Sequence, residues 1–138
     1  MDCFALRLDP DGDLRSLLEL ESQRRRLAAG IVLSAVGSLS VARLRFAGRQ
    51  EIMEIRGDLE ILQLGGTLGL DGAHLHMAIA DAEGRVSGGH VVQGCIVRTT
   101  AEIVCGVVPG VAFFRRLDPR TGFRELVVRP ESDVDTRR

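Results

Sequence analysis

Lysine is absent from the 138 residues, and so are tryptophan and tyrosine. All 18 basic residues are therefore arginines, set against 19 acids for a formal net charge of −1. A near-neutral chain lacks the clustered excess of cations with which proteins grip nucleic acid or anionic lipid over a whole surface, which leaves only a local basic patch for such a role. Phenylalanine supplies all the aromatic content, so stacking platforms for single-stranded nucleic acid are scarce. Cysteine is scarce too. Cys3, Cys95 and Cys105 are odd in number, widely spaced and without a CxxC pair, which suits a reducing compartment rather than a disulfide framework. The N-terminus, MDCFALRLDPDGDL, has early acids and no basic-then-apolar run, so no signal peptide is expected. The longest apolar stretch, LAAGIVLSAVG from Leu27 to Gly37, falls far short of the roughly 20 residues of a membrane span. These absences predict a soluble, cytoplasmic protein with no membrane contact. No Walker loop, GxSxG elbow or helix-opening GxGxxG is found either.

What remains is globular, with 45% hydrophobic and 27% charged residues in a length suited to one domain. Residues 1–129 are read as that domain and 130–138 as a disordered tail. Phe4 to Leu8 alternates like a strand and ends at the turn Asp9-Pro10-Asp11-Gly12. A helix follows, capped by Asp13, with Leu14, Leu17, Leu18 and Leu20 on its apolar side and Arg24, Arg25 and Arg26 favouring its C-terminal end; Gly30 closes the segment. Beyond it, short Val/Ile/Leu runs between glycines predict strands at 31–35, 39–46, 50–56, 59–64, 74–80, 86–98, 102–108, 112–117 and 123–128. Phe113-Phe114-Arg115-Arg116 mixes its faces, as an edge or interface strand does. One helix and many strands give an α+β domain, mainly antiparallel sheet with one or two helices. A single helix cannot cover so much sheet, so a homo-oligomer is expected to bury the rest.

All three histidines, His74, His76 and His90, fall within 17 positions of one another. Two apart on a strand, His74 and His76 project from one face and can present two imidazoles to one metal. Whether His90 joins them turns on the hairpin near Asp81-Ala82-Glu83-Gly84. A four-residue loop sets His76 opposite Gly89 and turns His90 away. A three-residue loop with Gly84 left-handed sets His76 opposite His90, and a bulge at Gly88-Gly89 would produce the same correction. Three neutral imidazoles leave a tetrahedral metal one open position, the arrangement of a ligand-binding zinc. The alternative is three half-buried strand histidines bonded to neighbours. Glu60, Asp81 and Glu102 are candidate acids behind the ligands, Glu60 above all because it alternates in phase with apolar Leu62 and Leu64; the alternative for Glu60 is a salt bridge to an arginine. Cys95 and Cys105, in apolar runs, read as core.

Gly57-Asp58-Leu59-Glu60-Ile61-Leu62-Gln63-Leu64-Gly65-Gly66, His74-Leu75-His76, Asp81, Gly84 and Gly88-Gly89-His90-Val91-Val92 together resemble the plant and prokaryote conserved (PPC) domain. The resemblance runs from the first strand to about Val128. It implies an α+β fold on an antiparallel sheet, a homotrimer formed through sheet surfaces, a metal at His74, His76 and His90, and a core-motif place for Glu60. Stand-alone prokaryotic members carry a DNA-binding or regulatory label. Plant members owe DNA contact largely to an Arg-Gly-Arg-Pro AT-hook, of which only Arg129-Pro130 stands here. Two functions follow as expectations. The first is a homotrimeric regulatory or DNA-binding module with a three-histidine metal site. The alternative is a zinc-dependent small-molecule binder or enzyme, in which Glu60 or Glu102 serves as base or steadies the ligands.

Overall fold

The computed structural model describes residues 2–134. Strand β1 (Cys3–Leu8) leads into helix α1 (Leu14–Arg24). Strands β2 (Ala29–Arg45), β3 (Ile52–Gly69), β4 (Gly72–Ala80), β5 (Val86–Val91), β6 (Ile96–Val107), β7 (Val111–Asp118) and β8 (Phe123–Pro130) follow. The α+β expectation therefore holds, with one α-helix among the described residues. Asp13 caps α1, its Oδ1 accepting from the Ser16 amide at 2.8 Å, and its Oδ2 also accepts from the Gly94 amide. One carboxylate thus fixes the helix start against the turn before β6. Arg25 closes the helix, pairing with Glu21 at 2.7 Å and lying 4.1 Å over the Phe4 ring. Arg26 then turns left-handed at φ 53°, so the helix ends before Gly30, which already lies in β2.

The main sheet is antiparallel, in the order β1-β6-β2-β3-β4-β5, while β7 and β8 pair only with each other. A further pairing, Leu44↔Val91 and Arg45↔His90, returns β5 to β2. Four strands therefore close upon themselves at one end, which removes a free edge. Two breaks expected at glycines are absent: 31–35 and 39–46 merge into β2, and 50–56 and 59–64 into β3. The chain kinks instead of stopping, through register shifts on β2 between Val32 and Val41. At Gly37 (φ 145°) a Cβ would sit 2.3 Å from the Thr100 carbonyl oxygen, so glycine there lets two strands approach. Conversely, the run 86–98 is two strands, separated where Val92 donates to the Arg43 carbonyl at 3.2 Å.

Alternation sends Leu59, Ile61, Leu64, Leu68, Leu75, Met77, Ile79, Ala101, Ile103 and Cys105 to one face of the sheet, where they join Leu14 and Leu18 of α1 in one core. Cys95 and Cys105 are fully buried there. The opposite face keeps Leu33, Val36, Leu62 and Val104 exposed. Of the residues expected in a disordered tail, Pro130 ends β8 and Glu131–Asp133 form a 3-10 turn, with the Glu131 amide donating to the Gly110 carbonyl at 3.1 Å; residues 135–138 lie outside the described ones. Among the described residues no helix is long and apolar enough to cross a membrane.

Candidate metal centre

The β4–β5 ladder pairs Ala80 with Val86 and runs unbroken to His76↔His90. This is the register of the three-residue loop, with Gly84 left-handed at φ 77° and its amide donating to the Asp81 carbonyl at 2.9 Å. Asp81 belongs to that turn. Its Oδ1 accepts from the Glu83 and Arg85 amides at 3.0 and 2.9 Å, and Arg85 Nε reaches its Oδ2 at 2.8 Å. The backbone bond from Arg85, with the other Arg85 and Glu83 contacts, holds the Asp81 carboxyl below the usual range. Gly88 and Gly89 make no bulge here. A Cβ on Gly89 would lie 2.7 Å from the Arg45 carbonyl oxygen, so this glycine admits β2 against β5.

His74 and His76 alternate with buried Ala73, Leu75 and Met77, and so stand on the outer face. Cross-strand pairing puts His90 beside His76 on one side and Arg45 on the other. One ligand atom from each histidine lies within 4.8 Å of the others, and the Nε2 atoms of His74 and His76 are 3.1 Å apart. The rings meet edge-on or tilted at centroid separations of 5.0–5.5 Å. Burial lowers the pKa of His74, with Arg115 and His76 adding to it. Burial, then His74 and Arg45, bring His90 down to about 4. Both rings are therefore neutral near pH 7, the form that ligates a metal. Nδ1 of His90 is buried with no hydrogen-bond partner, which costs free energy until something occupies it.

Helix α1 holds the strand ends that carry these rings. Arg15 donates through Nη2 to the Ala73 carbonyl at 3.0 Å and through Nη1 to the Val91 carbonyl at 2.9 Å. Glu19 pairs with Arg15 Nε at 3.1 Å, and the same Oε1 accepts the Ala73 amide at 3.1 Å. Both polar groups of the residue before His74, and the carbonyl of the residue after His90, are thus fixed by one i,i+4 pair. The β7–β8 hairpin supplies the opposite wall. The Arg115 amide donates to Asp71 Oδ2 at 2.9 Å, Arg116 pairs with the same carboxylate, and Arg115 Nη2 reaches Thr67 Oγ1 at 2.6 Å. Between these walls lies a cavity of about 640 Å³, lined by the histidines, Arg15, Arg45, Phe46, Asp71, Arg115 and the hairpin residues Phe123, Arg124 and Glu125.

The three histidines read from spacing are brought together. Glu60 and Glu102 are not among the residues lining that cavity: Glu60 faces Ser38 and Ala80, Glu102 faces Arg7 and Val36, and both are exposed. A register shift between Ile61 and Gln63 explains the altered phase, since Glu60 shares the outer face with exposed Leu62 while Leu64 turns into the core. The acids that do line the cavity, Asp71 and Glu125, and the arginines at 45, 115 and 124 escaped the sequence reading. The mixed faces of Phe113 to Arg116 were the one local signal for this wall.

A family model described as the Plants and Prokaryotes Conserved (PCC) domain matches residues 1–109. The chain belongs to this family. β7 and β8, and with them one wall of the cavity, lie beyond the matched residues. The bifunctional protein GlmU of Synechococcus sp. (strain JA-3-3Ab) is 50% identical over 123 residues, 89% of this chain and 20% of that protein. The PCC chain thus spans about a fifth of the length of the curated relatives it matches. A hypothetical protein from Salmonella cholerae-suis (Salmonella enterica) is 38% identical with a TM-score of 0.91, over 94% of each chain. A metal-containing protein from Archaeoglobus fulgidus is 25% identical with a TM-score of 0.79, over 92% of this chain and 94% of that one.

Proposed function

We propose that this PCC domain is a metal-dependent small-molecule-binding module in which His74, His76 and His90 hold one divalent cation. The observation that carries this reading is the convergence of three ring nitrogens within 4.8 Å at the edge of a cavity, with one buried nitrogen otherwise unpartnered. The donor set fits the group. Three imidazoles without a carboxylate suit zinc, and leave a tetrahedral ion one position for a ligand. Such an ion, when bound, acts as a Lewis acid toward a ligand oxygen. The chain's own residues do the rest: Arg15 and Glu19 hold the ladder ends in place, and the hairpin encloses the space in front of the rings. The metal-containing relative from Archaeoglobus fulgidus supports the same reading.

The module works as a homotrimer in this proposal. Leu33 (47% exposed), Val36 (55%), Leu62 (53%) and Val104 (38%) leave apolar side chains exposed on the outer sheet face between the carboxylates of Glu60 and Glu102, and such a patch is normally covered. A regulatory role through partner proteins is compatible with that assembly. Direct DNA binding has less support, because the formal net charge is −1 and the Arg-Gly-Arg-Pro core is missing. Elemental analysis of untagged protein, purified without chelator, tests the site: one metal per chain is expected, lost in His76→Ala/His90→Ala while the oligomer mass from light scattering is kept. No metal in either sample after zinc is offered would refute it.

A further inference from the structure

Most described arginines close to a carboxylate are neutralised by it: Arg15 by Glu19, Arg43 by Glu54, Arg85 by Asp81, Arg116 by Asp71. Arg45, Arg115 and Arg124 are different. Among the described residues no carboxylate stands within ion-pair distance of any of them, and all three line the histidine cavity. They come from unrelated places, Arg45 from β2 and the other two from separate strands of the hairpin. Arg115 is partly buried, with Nη2 spent on Thr67 Oγ1, and Arg124 Nη2 donates only to the Arg115 carbonyl at 3.1 Å. Asp71 offsets them only in part: its carboxylate bonds the Arg115 amide and Arg116, and one charge is shared between Arg116 and the nearby Arg124. Glu125, the one other acid among the described residues of the wall, offsets Arg115 in part, which still leaves the three guanidinium groups in excess. Like charges gathered around a partly enclosed space repel one another until an anion enters, and a guanidinium fork matches an oxyanion in shape as well as charge.

The rest of the cavity limits what that anion carries. Phe46 and Phe123 give the wall an apolar part, and the Arg45 guanidinium lies 5.8 Å from the Phe123 ring centroid. A volume of about 640 Å³ is in the range of small-molecule sites. We infer that the cavity takes a small organic oxyanion, a carboxylate or a phosphate monoester with an apolar portion, whose charged end is held by Arg45 and Arg124 beside the three histidines. This rests on the metal reading only for the position next to the histidines. The arginine contacts stand without it, so the two can fail separately.

Isothermal titration of the full chain at low ionic strength tests the inference with phenyl phosphate, benzoate, the neutral benzamide and a short DNA duplex. Zinc-loaded and metal-free protein are both titrated. Wild type is expected to bind one phenyl phosphate or benzoate per chain and no benzamide, and the preferred anion tells phosphate from carboxylate. Arg45→Met/Arg124→Met is expected to weaken that binding about tenfold or more while keeping its zinc and its melting temperature. Arg124→Gln alone, on the hairpin surface, gives a smaller loss in the same direction and serves if the double variant folds poorly. If zinc does not bind but the anion does, and the arginine variants lose it, the metal reading fails and the anion site stands. Zinc-loaded protein that binds neither anion, equal affinity in wild type and the arginine variants, or binding of duplex alone would overturn the inference.

Discussion

Replacing Arg15 by methionine keeps most of the side-chain volume and removes the clamp. Two bonds from a guanidinium to backbone carbonyls, those of Ala73 and Val91, are lost together, and Glu19 keeps the Ala73 amide but loses its ion-pair partner. A hydrogen bond from a charged donor contributes about 1.5–3 kcal/mol, and stranding a buried carbonyl costs a similar amount. The two side chains are 22% and 21% exposed, so water replaces part of what is removed. A net loss of about 2–4 kcal/mol follows. At roughly 3 °C per kcal/mol for a chain of this size, the melting temperature should fall by about 6–12 °C. Thermal and urea unfolding of metal-free protein, at fixed protomer concentration, measure it. The same change loosens the strand ends beside His74 and His90, so zinc affinity should drop about 10- to 100-fold, as for a lost partner behind a ligand. A variant that melts within about 1 °C of wild type and takes up zinc equally well would refute the clamp.

Three further outcomes are expected. Gly89→Ala forces a Cβ to 2.7 Å from the Arg45 carbonyl oxygen, and should cost about 1–3 kcal/mol in urea unfolding by prising β5 from β2. At Asp71, burial opposes the charged form, but the Arg115 amide and the Arg116 guanidinium outweigh it and hold the carboxyl below its ordinary value of 3.8. A depressed carboxyl stabilises the fold fully above that ordinary value and ceases to do so as the pH drops through the lower folded one. The protection of β7 amides relative to the unfolded chain should therefore drop in that acid window, and in Asp71→Asn it should be low at neutral pH as well. Burial raises the Cys95 thiol and pushes the Cys105 thiol up to about 11, so neither should react with a thiol reagent at pH 8 until the protein is unfolded; rapid labelling of either in native protein would contradict their core placement.

Local chemistry made much of this fold legible. Asp13, Leu14 and Leu18 announce α1 because capping and a 3.6-residue period act within one turn; for the β4–β5 hairpin the sequence left two loop lengths open, and the left-handed Gly84 of the shorter one carries the His76↔His90 register. Glycines misled where their reason was distant. Gly37 and Gly89 look like punctuation along the chain, yet each is small because another strand's carbonyl passes close by, at Thr100 and Arg45. The phase of Glu60 failed for a similar reason, since the shift beyond Ile61 depends on how β3 meets β4. Beyond the mixed faces of Phe113 to Arg116, the arginine wall was out of reach, because nothing in the spacing of 45, 115 and 124 ties β2 to a hairpin that makes no ladder with it.

The partner of β1 bears on how the chain acquires its structure during synthesis. Cys3 pairs with Gly106 and Leu8 with Ala101, so the domain's first strand waits during synthesis for the last strand of the main sheet. Neither it nor β2 can complete its ladders earlier, since β6 bonds both. Pairings so remote in sequence make folding slow and leave unpaired edges open to other chains meanwhile. The histidines come together within a hairpin that is complete before β6 begins at Ile96, so under the proposed metal reading their nitrogens face a cation while the sheet is unfinished. Metal captured then would tether β4 to β5 in the register their own loop sets, before β6 arrives to join β1 to β2.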